Sequence, residues 1–225
     1  MSVPATPHQV KRKPALPGRP KDLGKGAAIL EAAKRMFTVH GFDGVSMDQI
    51  AAEAGVSKLT VYSHFGDKEA LFVAAVRAKC EEQMPPALFM AELKGPLRPQ
   101  LTSIARAFFA LITSDEALSM HRMMLTRSSD EHVRQMFWQA GPQRVQDTFA
   151  EFLRARAASG DLVVADIRRA ASQFFCLLKG ELHMRMASGL CAKPDKADVD
   201  AHIAATVELF LRAYGSPRGD ESRGD

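Results

Sequence analysis

A glycine at position 55 sits between two short amphipathic stretches, and little else in the chain limits its fold so tightly. Ser46 followed by Gln49 makes a capping-box pattern, and Met47, Ile50, Ala51 and Ala54 supply an apolar stripe behind it. The spacing predicts a helix that starts at Ser46 and is stopped by Gly55. Val56 then follows as an apolar plug, Ser57 caps the next helix, and Val61 with Phe65 gives that helix a buried edge four residues apart. Ala51 falls where the two helices must approach closely. The result is helix, tight turn, helix, an arrangement that presents its second helix outward.

The flanks extend the same helical grammar. Upstream, Ile29, Leu30, Ala33 and Phe37 line one face of a helix starting after Gly26, with Gly41 as its stop. Downstream, Asp67 caps a longer helix through Leu71, Phe72, Ala75 and Val76 toward Met84, where Pro85 and Pro86 end or bend it. Further helical patterns run from Leu101 to Ile112, Glu116 to Leu125, Asp130 to Ala158, Ile167 to Ala187 and Val199 to Tyr214. Pro142 is expected to kink the third of these. Strand-like alternation is confined to Leu162–Val164, so the fold class is all-α: an N-terminal three-helix helix-turn-helix domain and a larger C-terminal helical domain. The expected divisions are a flexible basic arm at 1–25, the helix-turn-helix domain at 26–72, a larger domain at 73–215 and a tail at 216–225.

Composition narrows the partners. A chain of 225 residues that is 46% hydrophobic has the means to bury a large core. The net charge is +4, and it is concentrated: before Ala27, Lys11, Arg12, Lys13, Arg19, Lys21 and Lys25 oppose only Asp22. Cys80, Cys176 and Cys191 are odd in number and widely spaced, which gives neither a disulfide framework nor zinc-ligand spacing. No apolar run is long enough to cross a bilayer, and no apolar stretch follows the basic N-terminus. The expectation is a soluble cytoplasmic protein with no metal, no cofactor and no membrane partner. The sequence holds no Gly-rich phosphate loop, nucleophile elbow or paired metal-ligand motif, so no enzyme activity is expected.

Once Val61 and Phe65 are committed inward, Lys58, Leu59, Thr60, Tyr62, Ser63 and His64 lie on or near the outer surface. A cation, hydroxyls, an aromatic ring and an imidazole are groups that meet phosphate and base edges. The run from Met47 through Gly55, Lys58-Leu59-Thr60-Val61-Tyr62-Ser63-His64-Phe65 and Gly66-Asp67-Lys68 to Leu71 resembles the DNA-binding signature of the tetracycline-repressor family, and the likeness reaches upstream to Phe37, Gly41 and Phe42. The resemblance implies that Ser46 and Ser57 meet the phosphate backbone, that Thr60, Tyr62, His64 and Lys68 add backbone or groove contacts, and that Lys58 and Leu59 lie nearest the bases. Leu59 departs from the small residue usual at its position, so it either touches a thymine methyl or packs. Gly18-Arg19-Pro20-Lys21 is similar to minor-groove hooks, which makes Arg19 and Lys21 either groove residues or part of a solvated tail.

The segments Met120-His121-Arg122, Phe137-Trp138-Gln139-Ala140-Gly141-Pro142, Gly160-Asp161-Leu162, Gln173-Phe174-Phe175 and Lys179-Gly180-Glu181-Leu182 resemble the regulatory domain of the AefR-type subgroup of that family. The resemblance implies a homodimer on a palindromic double-stranded DNA operator, a small lipophilic effector in the C-terminal domain, and in many members control of an efflux operon. Phe108, Phe109, Met120, Met123, Met124, Phe137, Trp138, Phe149 and Phe175 are the candidate pocket lining, although such residues at helical spacing equally make plain core. A pocket is expected near the Pro142 kink. The last two helices are apolar over more than one face, as suits pairing with their copies in a four-helix bundle. His121, His183 and His202 lack a second ligand at metal spacing and are expected to be structural or superficial. Cys176 and Cys191 are expected to be buried and inert. The rival reading is an architectural DNA-binding protein whose C-terminal domain only dimerises.

Overall fold

The computed structural model describes residues 22–90, 95–126, 130–191 and 193–217, with the side chains of 123–126 excepted. Among these residues the chain forms eleven helices: α1 (Leu23–His40), α2 (Met47–Glu53), α3 (Lys58–Phe65), α4 (Lys68–Gln83), α5 (Ala87–Met90), α6 (Leu97–Ile112), α7 (Asp115–Thr126), α8 (Glu131–Ala140), α9 (Pro142–Ala158), α10 (Ile167–Ala187) and α11 (Lys196–Tyr214). The only β pairing among the described residues is the isolated bridge between Leu162 and Gly215. Leu162–Val164 is therefore no strand but a short clasp on the C-terminal end of α11, strengthened by Val163 N–H to Tyr214 O at 2.8 Å and Ser216 N–H to Asp161 O at 3.0 Å. That clasp buries Ser216, which the sequence had placed in a loose tail.

Two hydrophobic cores divide the molecule. One gathers Leu101, Phe108, Phe149, Leu153, Phe174, Leu178 and Phe210 from α6, α9, α10 and α11. The other gathers Ile29, Phe37, Ile50, Val61, Leu71 and Phe72 from α1–α4, and it also takes in Val133, Met136 and Ala140 of α8. Helix α8 therefore belongs to the N-terminal core by packing, although it lies among the C-terminal helices in sequence.

The long periodic run from Asp130 to Ala158 is two helices rather than one kinked helix. Helix α8 closes at Gly141 (φ −118°, ψ −84°), and Pro142 occupies the first position of α9, where its missing N–H would have had no intrahelical partner. A Cβ on Gly141 would stand 3.1 Å from Val76 Cγ1 and 3.2 Å from Cys80 Sγ, so the joint between α8 and α9 sits directly on α4. The first helix also differs from expectation. It begins at Leu23, three residues before Gly26, because the Asp22 carboxylate accepts hydrogen bonds from the N–H groups of Gly24 and Lys25. Only residues 1–21 of the expected arm lie outside the described residues, and with them Arg19 and Lys21.

Candidate nucleic-acid interface

The turn between α2 and α3 is built as the residues dictate. Ser46 and Gln49 form a reciprocal capping box on α2, and Ser57 Oγ accepts the Thr60 N–H at the start of α3. Gly55 adopts φ +66°, a left-handed conformation that a Cβ disfavours, and the Val56 N–H returns to Ala51 O at 3.0 Å to close the turn. Val61 is completely buried and fixes which face of α3 points outward; burial of a valine contributes about 1.5–3 kcal/mol.

On the opposite face, Leu59 is 79% exposed and Tyr62 is 42% exposed. Lys58 stands beside them, its ammonium 2.8 Å from Asp48 Oδ2 on α2. That hydrogen bond, and the charge of Asp48, hold the lysine pKa above its ordinary value. Tyr62 lies three residues from Leu59 and four from Lys58, so it neighbours both on the helix surface. Ser46 and Ser57 are exposed at the helix N-termini, where backbone N–H groups and the helix dipole favour an anion.

The remaining candidates are less available. Thr60 is half-buried, its hydroxyl 2.9 Å from Ser57 Oγ. His64 lies near the surface rather than fully on it. It is half-buried against α1, where a Cβ on Gly26 would meet its Nδ1 at 3.1 Å. Lys68 opens α4 with its ammonium 4.3 Å from the centroid of Phe42. Burial lowers its pKa, against the opposing pull of Asp43. The Asp48–Lys58 pair carries no local signature, since a separation of ten residues is no recognisable spacing.

In the C-terminal half the candidate lining residues are scattered. Phe108 and Phe175 pack with ring centroids 4.3 Å apart, and Phe149 sits within 5.0 Å of both Phe174 and Phe175. These rings fill the core together. Met120 is buried, Phe137 packs against the N-terminal core, and Trp138 is 45% exposed. Met123 and Met124 lie in α7, and their side chains are outside the described set. An open recess of about 540 Å³ does lie beside the α8–α9 joint, but its side chains are Gln139, Gln143, Arg144, Asp147, Thr148 and Glu151 rather than the expected aromatic and methionine residues. Phe109 instead borders a second cavity, between α6, α10 and α11.

The histidines pack as structural side chains, whereas the cysteines depart from expectation. His121 of α7 and His183 of α10 meet edge to face, with centroids 5.7 Å apart. Burial, then the charges of His121 and Lys179, push the His183 pKa down to about 4. A depressed histidine pKa makes the unfolded chain bind more protons than the folded one. The stability that a neutral His183 allows is thus complete above pH 6.5 and falls as the pH drops toward 4, so the melting temperature should decline across that window. The His183→Gln variant should flatten the decline in a pH series of thermal melts. As for the cysteines, Cys176 is exposed and Cys191 half-buried, contrary to expectation. The thiol that burial affects most is Cys80, raised to about 11 beneath the α8–α9 joint.

Residues 29–75 match the family described as bacterial regulatory proteins, tetR family, and residues 99–216 match the AefR-like transcriptional repressor C-terminal domain. The solved structure of the flavonoid-responsive regulator FrrA is similar over 86% of this chain and 98% of its own, with 31% identity and a TM-score of 0.68. A TetR-family regulator of Mesorhizobium loti MAFF303099 matches over 85% of this chain and 96% of its own, with 28% identity and a TM-score of 0.69. The HTH-type transcriptional regulator YdeS of Bacillus subtilis is 38% identical over 68 residues, which is 30% of this chain and 34% of that protein. The chain thus spans about a third of that curated relative's length. The α2–Gly55–α3 geometry and matches to both the N-terminal and C-terminal parts agree: the chain belongs to the TetR family of DNA-binding transcriptional regulators, with an AefR-like C-terminal domain.

Proposed function

We propose that the protein is a repressor that grips a palindromic operator as a homodimer and lets go when a small lipophilic effector binds among its C-terminal helices. The observation that carries this reading is the outward face of α3, where Lys58, Leu59 and Tyr62 stand together while Val61 anchors the helix. Lys58 and Leu59 are the base-reading residues. Tyr62, Thr60 and Lys68, with the N-terminal ends of α2 and α3 at Ser46 and Ser57, hold the phosphates. His64 braces α3 on α1 more than it reaches DNA.

Dimerisation uses the faces of α10 and α11 that remain open in one subunit. Leu177, Met184 and Leu209 are exposed there, together with Cys176 and the small residues Ala201, Ala204 and Ala205. Two α3 helices related by a two-fold axis meet successive major grooves about 34–36 Å apart. A Met184→Glu change should shift the protein from dimer to monomer in sedimentation and weaken operator binding with it.

Release runs through α8. Val133, Met136 and Ala140 of this helix pack in the same core as α1–α4. Helix α4 is gripped further by Glu69–His132 at 3.2 Å and Glu81–Arg144 at 3.6 Å. An effector that moves α8 and α9 therefore moves α4 and reorients α3. Turning a 99:1 population over requires a preference of about 5.5 kcal/mol for the released conformer. FrrA is named for its response to flavonoids, which supports an aromatic effector here, and genes for exporting such a compound are the target the family resemblance implies.

The test is binding to the DNA flanking the protein's own gene across a salt series. Tyr62→Ala and Lys68→Ala should each weaken binding to specific and random duplex alike, and Lys68→Ala should reduce the salt slope by about one. Lys58→Ala should instead alter sequence preference. Full binding by all three variants would move the interface elsewhere. A chain that binds its operator but is never displaced by apolar compounds would favour an architectural role.

A further inference from the structure

The cavity between α6, α10 and α11 differs in kind from the rest of the C-terminal region. Its volume is about 290 Å³, and Phe109, Met186, Val199 and Ile203 form its apolar floor, which puts it near the small end of ligand pockets, about 300 Å³ upward. Among the described residues its walls come from α6, α10, α11 and the connection before α11, and α7 reaches it only through the Asp115–Lys193 pair. At its rim stand Arg106 of α6 and Lys193 of the connection before α11.

Both cations already face carboxylates of the protein. Arg106 Nη1 donates to Asp200 Oδ1, and Lys193 Nζ lies 3.2 Å from Asp115 Oδ1. Asp200 has a second partner, Lys196 Nζ at 2.8 Å. The hydrogen bonds from Lys196 and Arg106 hold its carboxyl below the usual carboxylate range. Three cations thus share two acids around an apolar recess. The carboxylate on Arg106 is also one that keeps a lysine if it gives up the arginine.

We propose that this groove binds an amphipathic organic anion, whose carboxylate replaces Asp200 on Arg106 while its ring or short chain lies on Phe109, Met186 and Ile203. Guanidinium is suited to the exchange because its planar fork accepts either carboxylate with the same geometry. A neutral compound of the same shape gains the apolar floor but leaves the Arg106–Asp200 pair closed.

The inference rests on the reading of the C-terminal domain as effector-binding, and it names the chemistry and place of one effector. Its position also suggests what occupancy would act on. The Phe109 ring lies 5.6 Å from the His202 ring, and His202 Nε2 donates to Leu178 O at 2.8 Å. That carbonyl is at the break in α10, where Gly180 departs from helical geometry (φ 47°, ψ −160°). A ligand on Phe109 therefore touches the support of the break in α10, the helix assigned above to the dimer.

Calorimetric titration of the full chain with 2-naphthoate and with its neutral analogue 2-naphthamide tests the proposal. The acid should bind about tenfold more tightly than the amide, the scale of one charge-assisted hydrogen bond. Arg106→Gln should abolish that preference, and Ala110→Trp, at an exposed position on the groove wall, should block both compounds. Asp200→Asn should tighten naphthoate binding several-fold by removing the competing carboxylate, a gain that a purely structural Asp200 would not produce. Equal affinity for acid and amide, no naphthoate binding, or unchanged or weaker binding by Asp200→Asn would each overturn the proposal. Duplex-DNA binding by the same preparations reports separately on the regulator reading: a chain that holds DNA but ignores the acid loses only the groove.

Discussion

Arg156→Ala should destabilise the protein by about 2–4 kcal/mol, through the loss of a buried guanidinium's packing and of its hydrogen bonds to a part-exposed Asp161 and two further acceptors. Arg156 is 1% exposed, an unusual place for a guanidinium. It donates to Asp161 Oδ2 at 2.9 Å, to the Gly95 carbonyl at 2.9 Å and to Gln100 Oε1. One side chain thus fastens the end of α9 to the turn before α6 and to the clasp that receives Ser216. Alanine removes the packing of the stem and strips three acceptors of their donor. Urea denaturation should show a lower midpoint with an unchanged slope, and Asp161→Asn, which keeps a partial acceptor, should cost less. A loss below about 1 kcal/mol would mean that water replaces the guanidinium easily.

Phe149→Ala should cost a similar amount, about 3–5 kcal/mol, through the cavity it leaves. Phe149 is fully buried and its ring centroid is 4.8 Å from Phe174, 5.0 Å from Phe175 and 5.8 Å from Phe152. The outcome separates two roles for this aromatic cluster. A filler of the core loses stability on truncation whether or not effector is present. A residue lining a site that opens for effector would lose little, and would change which compounds release DNA. The close packing predicts the first result in thermal melts without ligand.

The helix-turn-helix was legible because its signals are local. Ser46 with Gln49, Gly55, Ser57 and the Val61–Phe65 spacing act within one turn of helix, and each does in three dimensions what its position implies. Helix α10 spans Ile167–Ala187, as its periodicity indicates, but the break at Gly180 (φ 47°, ψ −160°) leaves no trace in that periodicity. Local signals failed where two of them competed. Asp130–Ala158 keeps an apolar period across Pro142, and the chain nevertheless closes one helix at Gly141 and opens the next at Pro142, with Gly141 seated against Val76 and Cys80. The start of α1 was hidden because Gly24 and Gly26 look like breakers, whereas the Asp22 cap carries the helix through them.

The candidate residues follow the same division. Leu59 and Tyr62 point outward because Val61 is buried, a relation that helical spacing alone carries. The approach of His64 to Gly26 joins positions far apart in the chain, which no local spacing reveals. The Asp48–Lys58, His121–His183 and Arg156–Gln100 pairings depend on tertiary packing that periodicity does not encode. The aromatic residues of the C-terminal half could be counted in the sequence, but which of them fill a core and which border space depends on the crossing of α6, α10 and α11.

The most direct test of the central claim is a hydroxyl-radical footprint of the purified protein on the DNA flanking its gene. Two α3 helices carried by one dimer should protect two half-sites related by a two-fold axis, one helical turn or a multiple of it apart, with protection that fades as salt is raised. A single unsymmetrical patch, or no salt-sensitive protection on any fragment, would contradict it.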